Sequence, residues 1–298
     1  MVISLPDRSR EITPEFFKRN YAHFAPHALR PTPQNCTVTR DLPYGPDDKQ
    51  RLDIFQPVRS ETHPLNNKSP VPTIVFVHGG GFKYGDKGSP DSPFYNNIGA
   101  WAASNGMLGV TMSYRLAPAF QWPSGSLDVA AAMDWLSENI GRFGGSAKSI
   151  VLFGQSAGAV HVAGYVARPS LRGPGPIAAG AVIMSGIYDL TRFPRNPFED
   201  AYYGTDTSVM SECSTLDGLV EPDITCLFAI AELDSAAFQA QAAYLVSACV
   251  KKTKRWPNIV YANGHNHLST VYSLGCPKHR LGEQIIEFAE LVCQKTSA

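Results

Sequence analysis

The chain has 298 residues, 44% of them apolar and 17% charged, with 26 Lys and Arg against 26 Asp and Glu. That length suits one large domain spanning 1–298, and a charge content below the roughly 25% of ordinary soluble domains leaves room for a large core. Zero net charge without a block of like charges argues against a nucleic-acid binder or a polybasic membrane patch, since both need clustered Lys and Arg.

No apolar run reaches the roughly 18 residues of a membrane span, and MVISLPDRSREITPEFF at the start lacks a stretch of signal-peptide length. Cys36, Cys213, Cys226, Cys249, Cys276 and Cys293 lie far apart, without the paired spacing of a zinc site or a redox C-x-x-C. The expectation is a cytoplasmic protein with reduced, mostly buried thiols, no bound metal and no organic cofactor.

In chain order, 37–42 and 51–55 read as a strand pair. Segment 56–72 is polar and proline-rich, a surface loop. TIVFV at 73–77 is a continuous β-branched run that suits a strand buried on both faces. A helix is expected over 94–105, a strand over 108–112, and a helix over 127–140 with Leu127, Ala131, Trp135 and Leu136 on one stripe. Strands at 150–153 and 181–184 flank a small-residue helix at 157–166. Segment 190–223 reads as an irregular insertion. A strand at 224–231 leads to a helix marked by Phe238, Ala242, Leu245, Val246 and Cys249. A last strand at 259–261 precedes a closing helix through Leu281, Ile285, Phe288, Ala289 and Val292. Strands alternating with helices imply right-handed crossovers and a mostly parallel central sheet flanked by helices, an α/β class. Its chemistry belongs at the carboxyl ends of the strands.

Three strand ends carry reactive residue types. Gly154-Gln155-Ser156-Ala157-Gly158 is a G-x-S-x-G between a strand and a helix, the context in which a sharp turn exposes a serine hydroxyl as nucleophile. His78-Gly79-Gly80-Gly81-Phe82 follows the 73–77 strand. Its consecutive glycines let backbone N–H groups converge where negative charge would develop. A serine nucleophile needs a base, and His265 and His267 follow the last strand, where the final member of the order Ser, acid, His falls. Asp234 and Glu232 follow the 224–231 strand as candidate acids to orient that base, and Asp234 could instead cap the next helix.

HGGGF, GDK, YRLAP at 114–118, GQSAG, AELDS and GHNHLS together resemble the carboxylesterases of the α/β-hydrolase fold, in the hormone-sensitive-lipase-like and kynurenine-formamidase-like groups, over roughly residues 36–293. The resemblance implies an α/β-hydrolase fold and a serine esterase. The residues themselves favour Ser156 as nucleophile, Asp234 over Glu232 as acid and His267 over His265 as base, and the resemblance supports His267, in an N-H-L turn. It also implies an oxyanion hole from the N–H groups of Gly80, Gly81 and Ala157. The sequence departs at the acid: AELDSAAFQ replaces the D-P-L-x-D-E-G type segment and lies closer to the formamidase-like group.

In such families the N-terminal residues and a mid-sheet insertion often form a cap, here 1–35 and 189–221. Phe16, Phe17, Tyr21 and Phe24 in the first, and Phe193, Phe198, Tyr202 and Tyr203 in the second, are either pocket walls or plain packing. Phe82, Gln155 and Tyr202 are the candidate substrate contacts. A small cap favours a compact ester or lactone of a small organic molecule. An arylformamidase-type amide hydrolase uses the same triad. A non-catalytic binding protein on this scaffold, as in the plant gibberellin receptors, would lack the base. A homodimer is compatible with the composition.

Overall fold

A computed structural model of the chain describes residues 5–58, 71–173, 177–192, 195–277 and 280–297. The elements run α1 (Pro14–Phe24), β1 (Cys36–Pro43), β2 (Arg51–Pro57), β3 (Val71–Val77), α2 (Asn96–Ser104), β4 (Leu108–Met112), α3 (Ser124–Asn139), β5 (Gly145–Gln155) and α4 (Ala157–Ala167). They continue with β6 (Gly180–Met184), α5 (Pro197–Tyr203), α6 (Met210–Cys213), α7 (Leu216–Val220), β7 (Cys226–Leu233), α8 (Ala236–Thr253), β8 (Ile259–Asn266), α9 (Ser269–Tyr272) and α10 (Arg280–Ser297).

The strands form one eight-stranded sheet in the order β1-β2-β4-β3-β5-β6-β7-β8. β1, β2 and β4 pair antiparallel, and every pair from β4 through β3 to β8 is parallel. This is the mostly parallel, helix-flanked α/β sheet expected, in the α/β-hydrolase arrangement. Ile74 to Val77 and Ile150 to Phe153 are at most 1% exposed, because helices cover both faces of the central strands. One face packs α3 and α4 through Val129, Met133, Leu136 and Val162. The other packs α2 and α10 through Ile98, Trp101, Ile285 and Phe288.

Several elements differ from the sequence pattern. The helix expected from Leu127 begins at Ser124, and its buried stripe runs through Val129, Ala132, Met133 and Leu136, leaving Leu127 41% exposed. Small residues there (Ser124, Gly125, Ser126) pack closely on α4 and carry no hydropathy signal. β7 and β8 end later than expected, at Leu233 and Asn266, because backbone pairing continues through polar residues past a bulge. The insertion contains α5, α6 and α7, with α5 started by an Asn196–Glu199 capping box behind Pro197. His63 and most of the 56–72 loop, Phe193 and His279 lie outside the described residues.

Two of the quoted motifs serve the scaffold. Lys87 of GDK and Arg40 hold the fully buried Asp53 carboxylate on β2 at 2.8 and 2.6 Å. Arg115 of YRLAP holds the buried Asp128 of α3 at 2.7 Å. Each buried carboxylate is thus paired and further hydrogen-bonded, as a buried charge requires. No helix among the described residues is long and apolar enough to cross a membrane.

Candidate active site

Successive strand ends bring the candidate residues to one edge of the sheet. Ser156 occupies the turn between β5 and α4 with φ 56° and ψ −121°, a strained conformation for a non-glycine residue, and it is half-buried. The strain is held in place by packing: a side chain on Gly158 would lie 2.0 Å from the Val77 carbonyl oxygen, so only glycine lets α4 start this close to β3. The Ser156 N–H donates to the Met184 carbonyl of β6 at 3.0 Å, which fixes the turn against the next strand.

Asp234 and His267 follow directly from the last register pair of β7 and β8, Leu233 opposite Asn266. One residue further on each strand, His267 Nδ1 meets Asp234 Oδ1 at 2.6 Å, with Asp234 fully buried and His267 4% exposed. The Ser185 hydroxyl at the end of β6 donates to Asp234 Oδ2 at 2.6 Å, and the Ala231 N–H donates to the same oxygen at 2.8 Å. Three donors therefore aim the carboxylate. The helix-cap alternative for Asp234 is not realised, since Ser235 occupies the N-cap of α8 and the Asp234 side chain points to His267. The Phe238 ring of α8 stacks on the His267 imidazole, centroids 4.7 Å apart at 24°.

His265 and Glu232 have other partners. His265 Nδ1 lies 3.1 Å from the Ser269 hydroxyl, and burial lowers its pKa. Glu232 accepts from the Gly264 N–H at 2.7 Å and meets the exposed Arg8 at 3.4 Å.

The glycine loop crosses in front of Ser156. A methyl group on Gly79 would stand 3.1 Å from the Ser156 Cβ. Gly80 has φ 129° and packs on the Tyr84 carbonyl, and neither Gly80 nor Gly81 commits its N–H to a carbonyl among the described residues. Ala157 is the first residue of α4, so its N–H lies in the orphan first turn of that helix.

Beneath the loop, His78 donates Nδ1–H to the Gly79 carbonyl at 2.6 Å and stacks on Tyr114 at 4.3 Å. His161 meets the edge of the same Tyr114 at 4.5 Å and the Tyr202 hydroxyl at 3.3 Å. Both histidines are fully buried. Burial pushes the pKa of His78 down to about 4 and that of His161 to about 3.

The three candidate substrate contacts are engaged with the protein. Phe82 and Tyr202 stack face to face at 4.6 Å and are 4% and 1% exposed; the Tyr202 hydroxyl also accepts from the Gly125 N–H. Gln155 is 1% exposed and donates its amide to the His267 carbonyl at 3.0 Å, which ties the residue before Ser156 to the base. Two open rings lie at the loop, Tyr84 and, on α5, Phe198, 61% and 42% exposed, and a side chain on Gly81 would meet Phe198 at 3.0 Å.

Ser185 and Phe238 escaped the sequence reading. A lone serine after a strand carries no periodic signal, and Phe238 looked like one more apolar residue of an amphipathic helix. Among the described residues no three His, Cys, Asp or Glu side chains gather as a metal-binding group.

Comparisons place this geometry among known proteins. The chain is 33% identical over 144 residues to the para-nitrobenzyl esterase of Bacillus subtilis (strain 168), covering 45% of this chain and 27% of that protein. It is 31% identical over 176 residues to esterase LipQ of Mycobacterium tuberculosis (strain ATCC 25618 / H37Rv), covering 56% and 39%. The chain spans less than half the length of these relatives. In structure it is similar to esterase B from Lactobacillus rhamnosis, with a TM-score of 0.75, 17% identity and 94% of each chain covered. It is also similar to a hyperthermophilic esterase from Pyrobaculum calidifontis, at TM-score 0.68 and 18% identity over 100% of this chain and 95% of that one. The carboxylesterase family pattern matches residues 20–201, more than half of the chain, and the protein belongs to the carboxylesterase family.

Proposed function

We propose that this chain is a serine hydrolase that cleaves a carboxylic ester or lactone of a small organic substrate through an acyl-enzyme. The observation that carries the reading is the 2.6 Å pair of His267 Nδ1 and the buried Asp234 carboxylate, joined through Gln155 to the strained turn that holds Ser156.

With Nδ1–H donated to Asp234, the other ring nitrogen of His267 is the one left to accept a proton. It removes the Ser156 proton as the hydroxyl attacks the acyl carbon. The N–H groups of Gly80, Gly81 and Ala157 stabilise the tetrahedral oxyanion. The imidazolium protonates the leaving alcohol, and water activated by the same ring then frees the acid. Asp234, held by Ser185 and Ala231, keeps the tautomer and offsets the imidazolium charge.

Within the family, HGGGF, GQSAG and AELDSAAFQ support placement near the hormone-sensitive-lipase-like and formamidase-like groups. We read the chain as a single catalytic domain capped by 1–35 and 189–221, with the exposed Phe198 ring as a wall beside the oxyanion loop. A cap this short favours compact acyl groups. Six buried cysteines that form no disulfide suit a reducing compartment such as the cytoplasm.

The test is a substrate panel: p-nitrophenyl acetate, butyrate and decanoate, a γ-lactone, and a formyl anilide. The reading expects the short esters or the lactone to be preferred and Ser156→Ala to abolish turnover. Preference for the formyl anilide would move the protein to the formamidase side. No acyl release from any of them would overturn the reading.

A further inference from the structure

Asn266, the residue immediately before the candidate base, is fully buried and uses its whole side-chain amide. Its Oδ1 accepts from the Leu268 N–H at 3.1 Å and the Ser269 N–H at 2.9 Å. Ser269 answers with its hydroxyl, which accepts from the Asn266 N–H at 2.9 Å. This is a reciprocal cap that spans N-H-L-S and clamps His267 inside a four-residue turn.

The two amide hydrogens of Asn266 leave the turn. Nδ2 donates to the Asp7 carbonyl at 3.1 Å and to Asn20 Oδ1 at 2.9 Å. Asn20 lies in α1, is fully buried, and donates its own amide to the Phe16 carbonyl at 2.9 Å. Each amide orientation is fixed by these partners: reversing Asn266 would aim NH2 at two N–H groups, and reversing Asn20 would aim an oxygen at a carbonyl.

The same N-terminal segment touches the acid side. Arg10 donates to the Asp234 carbonyl at 3.4 Å, and Arg8 meets Glu232, whose other oxygen accepts from Gly264. Residues 7 to 20 therefore clasp β7 and β8 at three points, each within two residues of Asp234 or next to His267.

We infer that Asn20 and Asn266 are positioning residues, and that the N-terminal segment is a strap whose docking sets the orientation of the His267 turn. The inference rests on the hydrolase reading for its kinetic consequence. Its structural consequence, the geometry of the Asp234–His267 pair, is independent of that reading. An acceptor removed from the strap leaves the Asn266 amide unsatisfied in the interior, and the turn relieves this by shifting. A displacement of about 1 Å at a catalytic group costs on the order of 10²-fold in rate.

The experiment uses the full chain and two variants. Asn20→Leu removes the acceptor. Arg8→Ala/Arg10→Ala removes the outer contacts through exposed side chains, so it keeps its fold. The readouts are kcat and KM on p-nitrophenyl butyrate and the downfield proton NMR signal of the short His267–Asp234 hydrogen bond.

For Asn20→Leu we expect kcat to fall roughly 10- to 100-fold, KM to stay within about threefold, and the downfield signal to broaden or shift. For the arginine pair we expect a smaller loss, about two- to fivefold, in kcat alone. A folded Asn20→Leu with unchanged kcat and an unchanged downfield signal would overturn the strap. If Asn20→Leu does not fold, the arginine pair decides, and unchanged kcat and signal there overturn it equally. An unmodified protein with no esterase activity but a strap-dependent downfield signal would count against the hydrolase reading and for the strap.

Discussion

Acidification should destabilise this protein well above the range where carboxylates titrate, because two imidazoles are buried without their charge. His78 and His161 are fully buried, and their pKa values fall from 6.5 to about 4 and about 3. The folded values lie below the unfolded one, so the unfolded chain binds protons that the folded chain refuses. Stability from these groups is complete above about pH 6.5 and drains away as pH falls toward about 4. Between about pH 7 and pH 5 each histidine costs about 2 kcal/mol and the pair about 4 kcal/mol. That is a large part of the roughly 5–15 kcal/mol available to a folded domain. His265, whose pKa is also lowered by burial, adds in the same direction.

The assay is urea unfolding followed by circular dichroism at about pH 7, 6 and 5. His161→Leu should be less stable at neutral pH, having lost its contact with Tyr202, yet lose only about half as much on acidification. Both histidines support the glycine loop and stay neutral in the folded protein until pH nears about 4, so loop packing should persist over this range while global stability falls. Stability that stays flat or rises between about pH 7 and pH 5 would refute the reasoning.

Three substitutions probe other parts of the account. Ser185→Ala removes one of three donors to the Asp234 carboxylate and should lower kcat/KM about tenfold, near the worth of one hydrogen bond to a charged group, as read in steady-state kinetics. His267→Ala should cost at least about 10³ in kcat, whereas His265→Ala, which loosens the Ser269 contact, should cost about tenfold; a reversed ranking would exchange their roles. Asp53→Ala removes the buried carboxylate shared by Arg40 and Lys87, leaving Lys87 the exposed Asp41 and Arg40 the Asn96 amide, and should destabilise the fold by about 3 kcal/mol, visible as a lower urea midpoint with an unchanged slope.

Legibility in the sequence followed the strength of the local signal. Ile74 to Val77 and Ile150 to Phe153 are buried on both faces, so short continuous apolar runs marked them correctly. The glycine-flanked Ser156 was legible because its turn tolerates so few residues. The ends of β7 and β8 were not, since Glu232, Gly264 and His265 carry no apolar signal and lie in a bulge before pairing resumes at Leu233 and Asn266. Ser185 and Phe238 became visible only when three strand ends and a helix start were brought together. GDK and YRLAP had a clear pattern, but only the buried Asp53 and Asp128 reveal that Lys87 and Arg115 hold the scaffold.

The central claim is that Ser156 is the nucleophile of an acyl-transfer site, and covalent trapping tests it most directly. The protein is treated with a fluorophosphonate, the intact mass is measured, and the modified peptide is mapped. The account predicts one adduct per chain, on Ser156, formed in step with loss of p-nitrophenyl butyrate hydrolysis, strongly slowed in His267→Ala and absent from a folded Ser156→Ala. An adduct on another residue, or hydrolysis that survives in folded Ser156→Ala, would contradict it.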